Sequence, residues 1–286
     1  MVGGSSAYNA LVVEGGAMRG VFSTGVLDGF LKYRFNPFNL CIGVSSGAGN
    51  LAAYLANMPA RNLKIYTDYT LRPEFINPGR FICGGHLMDL DWLWEITISE
   101  IRLNLSRIAA DKALFLVVLA DVSTGKAVYK KAEPGDLENA LKASSAMPVF
   151  YRDFPLVDGR PMADGGLVDP IPVREAISRG ARRIMVIRSR PKDFVKKEGF
   201  LQTVLLWKLR RFPALARAVK GRIAKYNHTV DMLRNPPRGI SIVEICPPDN
   251  FRAGRLSRDT GVLMSAYRQG LRSADDAVRQ WFLNPQ

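Results

Sequence analysis

Three short stretches of this chain carry residue types that could cleave an ester. Gly43-Val44-Ser45-Ser46-Gly47 is the only Gly-x-Ser-x-Gly in the 286 residues. It ends an apolar run, Leu40–Val44, and opens a stretch of helical character. A serine nucleophile on a strand-to-helix turn needs small neighbours, because the tight backbone comes close to adjacent strands. The helix N-terminus that follows offers free N–H groups to a developing oxyanion. On this reading Ser45 is the nucleophile, Gly43 and Gly47 support its turn, and Ser46 is a capping candidate. The competing reading is a glycine-rich turn with a capping serine; the strand–helix context favours the nucleophile.

Glu14-Gly15-Gly16-Ala17-Met18-Arg19-Gly20 lies about 30 residues upstream, on the preceding strand–helix unit. A phosphate cradle fits it poorly: strict Gly-x-Gly-x-x-Gly fails at Ala17, and no Gly-Lys-[Ser/Thr] is present. A second set of amide donors beside Ser45, an oxyanion hole, suits it better. Gly15, Gly16 and Ala17 are its candidates, with Arg19 fixing the loop or approaching a lipid phosphate and Gly20 closing it. Gly47-Ala48-Gly49-Asn50-Leu51-Ala52 matches a loose dinucleotide pattern but begins inside the expected helix. Asp164 ends another expected strand and is followed by Gly165 and Gly166, which let a partner approach. Asp158 belongs to an Asp-Gly hairpin turn, and Asp121 and Asp169 are rival acids.

The elements that would position these groups follow from local patterning. Ala10–Val13 reads as a buried strand and Val21–Tyr33 as an apolar-periodic helix. Leu40–Val44 and the helix from Ser46 repeat that unit, which argues for an α/β sheet at least partly parallel. Leu114–Asp121 with Lys126–Lys130, and Phe154–Val157 with Arg160–Ala163, read as hairpins. Pro170–Arg179 reads as a helix, Arg183–Ile187 as a strand, and Arg258–Phe282 as an amphipathic helix assigned to packing. The nearest thing to a seam is Asn235–Gly239.

Composition excludes several classes. Apolar residues make up 47% and charged residues 23%, ordinary for a folded chain with a sizeable core. Ala113–Ala120, eight residues, is among the longest apolar runs, far short of the roughly 20 that span a bilayer. Met1–Asn9 lacks the pattern of a secretion signal. Cys41, Cys83 and Cys246 are widely spaced, and His86 and His228 are the two histidines, so neither a disulfide framework nor a metal centre is expected.

Net charge is +14, and the segment 179–238 alone holds 17 basic residues against three acids. Such an excess points to an anionic partner or to a solvated face. Leu201, Leu205, Leu209, Phe212, Ala216, Val219 and Ile223 recur at helical steps among these cations, interrupted at Pro213. A basic amphipathic helix suits an anionic bilayer; packing on the sheet with a solvated edge is the equal alternative. No nucleic-acid motif is present, and no nucleic-acid partner is expected.

Taken together, Glu14–Gly20, Gly43–Gly47, Ala143-Ser-Ser-Ala-Met-Pro-Val-Phe150 and Asp164-Gly-Gly-Leu-Val-Asp-Pro-Ile-Pro-Val173 resemble the patatin-like phospholipase family in order and spacing. The likeness covers roughly residues 11–190 and is nearest to bacterial members without a secretion module. It implies a three-layer α/β/α fold, with a catalytic unit over 8–190 and a helical C-terminal extension over 191–286. It also implies a Ser–Asp dyad without cofactor or metal, in which Ser45 attacks, Asp164 is the base and Gly15, Gly16 and nearby amides form the oxyanion hole. The chain departs from the family at Glu14, usually Asp, and at Ala17, usually Gly; Ala17 keeps the loop shape if its φ stays negative.

The implied activity is hydrolysis of phospholipid or other fatty-acyl esters; the missing signal pattern and the unpaired cysteines point to a cytoplasmic or peripheral inner-membrane location. Two alternatives remain: a Ser45–Asp164–His228 triad, and a catalytically silent lipid- or anion-binding protein of the same fold. The sequence does not indicate an oligomeric state.

Overall fold

Leu11 and Val13 face one side of the first strand and Ala10 and Val12 the other, and all four are fully buried. A strand apolar on both faces must lie inside a covered, parallel sheet. The computed structural model describes residues 8–283, with Met1–Ala7 and the last three residues outside the described residues. The assignment of Met1–Asn9 as lacking a secretion signal therefore falls mostly outside them.

The strands are β1 (Asn9–Val13), β2 (Leu40–Val44), β3 (Leu114–Asp121), β4 (Ala127–Lys131), β5 (Leu156–Val157), β6 (Arg160–Asp164), β7 (Arg183–Ile187) and β8 (Ser241–Ile245). They form one sheet in the order β5-β6-β3-β2-β1-β7-β8, with β4 also paired to β3. The pairs among β3, β2, β1, β7 and β8 are parallel, while β4 and β6 run antiparallel to β3. Both expected hairpins form.

The helices are α1 (Val21–Lys32), α2 (Ser46–Leu55), α3 (Arg61–Thr67), α4 (Pro78–Ile82), α5 (Leu90–Ile101), α6 (Leu105–Ala109), α7 (Leu137–Ser145), α8 (Val173–Ser178), α9 (Phe200–Lys208), α10 (Pro213–Arg234) and α11 (Thr260–Leu283). Phe22, Leu51, Leu141 and Ala274, from α1, α2, α7 and α11, cover one face. Ala176, Tyr226 and Val230, from α8 and α10, cover the other. The expected three-layer α/β/α arrangement with a helical C-terminal region is the fold.

Two features refine the expectations for the second half. Pro213 stands at the first position of α10, where its missing N–H costs nothing, so the basic segment is two helices. Beyond the seam, Ser241-Ile-Val-Glu-Ile245 is a strand rather than part of a helical run. It alternates in burial and pairs with β7, so the C-terminal part completes the sheet.

Helix α11 lies against α1 through glycines. A Cβ on Gly25 would fall 2.1 Å from the Tyr267 carbonyl oxygen, and one on Gly270 would fall 2.1 Å from that of Phe22. Backbone atoms cannot yield as a side-chain tip can. Gly270→Ala is therefore expected to lower stability by about 1–3 kcal/mol through overpacking. Urea denaturation would read this as an earlier midpoint at unchanged slope; an unchanged midpoint would contradict the close approach.

Candidate active site

Ser45 connects β2 to α2 with φ +54° and ψ −129°, a left-handed conformation that costs a non-glycine residue on the order of 1–3 kcal/mol. The surroundings hold it there. The Ser45 N–H donates to Ser144 Oγ (2.8 Å), and the Ser144 hydroxyl donates to the Val118 carbonyl (2.7 Å). Ser144 lies in the last turn of α7 and is fully buried, so it ties the turn to the neighbouring strand. Gly43 packs on Ala48 and Gly47 on the Val13 carbonyl. Ser46 opens the helix, but its hydroxyl does not cap it: Ser46 Oγ accepts from the Gly16 N–H at 2.9 Å.

That last bond alters the reading of the glycine loop. Gly16 is committed to Ser46, so its amide is not directed at a substrate oxygen. The N–H groups of Gly15 and Ala17 make no hydrogen bond to the chain among the described residues and remain as donors beside Ser45. A Cβ on Gly15 would lie 2.6 Å from the Val44 carbonyl oxygen and 2.8 Å from Ser45 Cβ, so only glycine fits there. Ala17 departs from expectation: its φ is +51°, not negative. The loop keeps its shape in spite of alanine because both flanks are anchored.

Glu14 Oε2 accepts from the Ser189 N–H (2.8 Å), and the Ser189 hydroxyl donates to the Gly15 carbonyl (3.1 Å). Arg19 Nε donates to the Ser189 carbonyl (3.2 Å). Arg19 is buried and fixes the loop to the end of β7, and burial lowers its pKa to about 9. Gly20 packs against Tyr66 and Ser46.

The sheet register brings Asp164 to this turn. Val44 is level with Val118, and the adjacent Leu119 is level with Asp164, so β3 carries the carboxylate across to the end of β2. The Asp164 N–H donates to the Ala146 carbonyl (3.0 Å). Its Oδ1 accepts from the Gly166 N–H (2.7 Å), and a Cβ on Gly165 would meet the Val118 carbonyl oxygen at 2.2 Å.

Burial raises the Asp164 pKa above the ordinary carboxylate value. The Gly166 N–H, the Ser45 hydroxyl within hydrogen-bond reach, and the charges of Arg222 and Arg255 pull it back down. The rival acids are engaged elsewhere. Asp121 pairs with Arg160 and accepts from the Ser123 and Thr124 amides, while Asp169 accepts from the Tyr129 hydroxyl. Asp158 has φ +49° in its turn before Gly159.

Ser45 and Asp164 open on a cavity of about 340 Å³. One part of its wall is apolar, with Phe75, Leu90, Leu93, Trp94, Met147 and Phe150. Other elements contribute Arg190, Lys196, Arg222 and Arg255. No histidine lines it among the described residues. His228 is exposed on α10. His86 stacks on Tyr151, and its Nδ1 accepts from the Arg152 N–H. The triad alternative fails on this placement.

The basic segment divides in the same way. Arg188 is fully buried against Glu244 (2.6 Å), and Arg222 is buried at the cavity, so it is neither a uniform solvated face nor a free amphipathic helix.

Ser144 received no role from the sequence, although it stands inside the quoted Ala143–Phe150 motif. It acts by positioning, since Ser144→Ala would leave the Ser45 N–H and the strain of the turn without support. The loss of a buried partner costs about 1–3 kcal/mol. The expected result is a kcat lower by roughly ten- to a hundredfold with KM little changed; unchanged kcat would remove Ser144 from the account.

A model of the patatin-like phospholipase family matches residues 11–177. A second model, for a domain of unknown function (DUF6363), matches residues 212–283. The chain is similar to the uncharacterized protein YjjU of Escherichia coli K12, at 34% identity over 266 residues, covering 91% of this chain and 74% of the relative. It is also similar to the probable lipid hydrolase 463L of Invertebrate iridescent virus 6, at 26% identity, covering 59% of this chain and 63% of that protein. The crystal structure of VipD from Legionella pneumophila shares the fold at a TM-score of 0.50 and 13% identity, over 96% of this chain and 67% of that one.

Proposed function

The chain belongs to the patatin-like phospholipase family of lipid acyl hydrolases, and on that premise we propose that it cleaves fatty-acyl esters with a Ser45–Asp164 dyad. One observation carries this reading: a serine in a strained turn faces a buried carboxylate at the mouth of a largely apolar cavity from which histidine is absent. The Asp164 carboxylate takes the Ser45 proton as Oγ adds to the ester carbonyl. The resulting oxyanion is held by the Gly15 and Ala17 amides and the first N–H groups of α2. The alcohol leaves with the proton, and water, activated in its turn by Asp164, releases the fatty acid from the acyl-serine. An aspartate of ordinary pKa, about 3.9, is a weak base for a serine. Desolvation strengthens it, and the oxyanion donors stabilise the charge that forms.

Fatty-acid release from a phospholipid and from a short-chain ester by the purified protein tests the reading. Turnover that disappears with Ser45→Ala supports it; no turnover on any acyl ester, with detergent or vesicles present, argues for the silent binding alternative.

The membrane part of the reading has its own support. Leu201, Gln202 and Leu205 of α9 line the cavity, while Phe200 and Trp207 are 85% and 61% exposed on the same helix. Lys208 reaches over the Phe81 ring of α4, beside Ile82, which is also exposed. Apolar side chains among cations at a cavity mouth suit an anionic lipid surface. No helix among the described residues is long and apolar enough to cross a membrane. Co-sedimentation with anionic vesicles is expected to fall steeply with salt and with Trp207→Ala; binding indifferent to both would remove the surface from the account.

A further inference from the structure

Arg222 is 9% exposed, its Nε has no hydrogen-bond partner, and the side chain makes no hydrogen bond or ion pair among the described residues. It lines the cavity beside Gly166: a Cβ on that glycine would be 3.8 Å from the guanidinium. A cation taken out of water without a partner is costly, and the rest of the chain shows how such groups are normally treated. Arg188, fully buried, is matched by Glu244 and the Tyr226 hydroxyl.

Around Arg222 the cost grows. Arg190, Lys196 and Arg255 line the same cavity, and none of them makes an ion pair among the described residues. The acids lining the cavity are Glu14, already bonded to the Ser189 amide, Glu138, paired with Arg102, and Asp164. Lys196 is held over the Tyr226 ring at 4.9 Å. Burial, Arg222 and Arg255 drive its pKa down to about 6 against the opposing pull of Glu14. Four cations without an ion pair among the described residues, converging on a space open to ligand, describe a site for a dianion.

We propose that Lys196, Arg222 and Arg255 form a phosphate subsite at the polar end of the Ser45 cavity, which selects acyl esters carrying a terminal phosphate monoester. The substrate part of this inference rests on the acyl-hydrolase reading. Arg222 and Arg255 both come from the region matched by the domain of unknown function, so that region would supply the head-group half of the site and the patatin-like region the reacting half. The apolar wall from α5 and the loops beside it takes the acyl chain. A phosphate among the cations supplies the missing counter-charge and restores the ammonium form of Lys196.

The test compares kcat/KM for three esters of one acyl chain: an acylglycerol phosphate, its phosphocholine diester and the neutral acylglycerol. The wild-type protein is expected to prefer the phosphate monoester to the neutral ester by on the order of 100-fold, with the diester between them. In Arg222→Gln and Lys196→Met that ratio should fall below about ten, whereas Arg238→Gln, exposed and outside the cavity, should keep it. A wild-type ratio near one, or variants that retain the preference, overturns the subsite as a selector.

Inorganic phosphate supplies a second arm that needs no turnover. It should raise the wild-type Tm and fail to do so in Arg222→Gln. If no ester is hydrolysed but this shift is present, the catalytic reading fails and the anion site stands with free phosphate as its occupant. If hydrolysis occurs with neither preference nor shift, the catalytic reading stands and the phosphate subsite is overturned.

Discussion

Ser45→Ala is expected to abolish acyl-ester hydrolysis, lowering kcat by at least about 10⁴-fold, the scale seen when a serine nucleophile is removed. The magnitude follows from what remains. Gly15, Ala17 and the start of α2 would still present amides to a bound carbonyl, but no oxygen would be positioned to attack it. The substitution should also be benign for folding, or helpful. Alanine loses only a partly buried hydroxyl, although it inherits the φ of +54°. A Tm within a few degrees of wild type, together with lost turnover, separates loss of chemistry from loss of structure. Substantial residual turnover in a cleanly purified variant would show that another residue attacks.

Asp164→Asn is expected to cost about 10³–10⁴-fold in kcat, because asparagine keeps the shape and can still accept from the Gly166 N–H but cannot take a proton. Its pH behaviour carries a sign that can be checked. Burial holds the Asp164 carboxyl above its ordinary pKa, so activity, which needs the carboxylate, should fall with decreasing pH through a midpoint above about 4. The same shift acts on stability in the opposite direction. A native pKa raised above the unfolded value contributes stability at pH below the unfolded pKa, and that contribution is lost as pH rises through the native pKa. At neutral pH the ionised Asp164 therefore destabilises the fold, and the asparagine variant should have a Tm equal to or higher than wild type. A variant that is inactive because it unfolds would contradict this account, as would one that keeps its turnover.

The placement of Ser45 and Asp164 was legible because local chemistry dictates it. Only a strand–turn–helix with glycines at 43 and 47 presents a serine in this way, and the register of β3 then leaves Asp164 no other position. The strands buried on both faces could be read from Ala10–Val13 and Leu40–Val44 for the same reason. What escaped reading depends on contacts between distant parts of the chain. Gly16 looked like a donor because its partner, Ser46 Oγ, is 30 residues away. The positive φ of Ala17 is imposed by the anchors at Ser189 and Ser46, and alanine by itself argues for the reverse. Strand β8 is five residues after a proline-rich turn, too short to stand out beside the long helices that flank it. Helices α3, α4 and α6 are only seven, five and five residues long, so no helical period builds up over them. Arg222 and Lys196 were visible only as part of the basic segment, and Arg255, beyond it, received no role, since charge counts do not distinguish a solvated cation from a buried one.

Labelling with a fluorophosphonate probe, mapped by mass spectrometry in the wild-type protein, Ser45→Ala and His228→Ala, tests the dyad most directly. The account predicts phosphonylation of Ser45 in the wild type and in His228→Ala, and none in Ser45→Ala. A label on another residue, or labelling that is lost with His228, would contradict it.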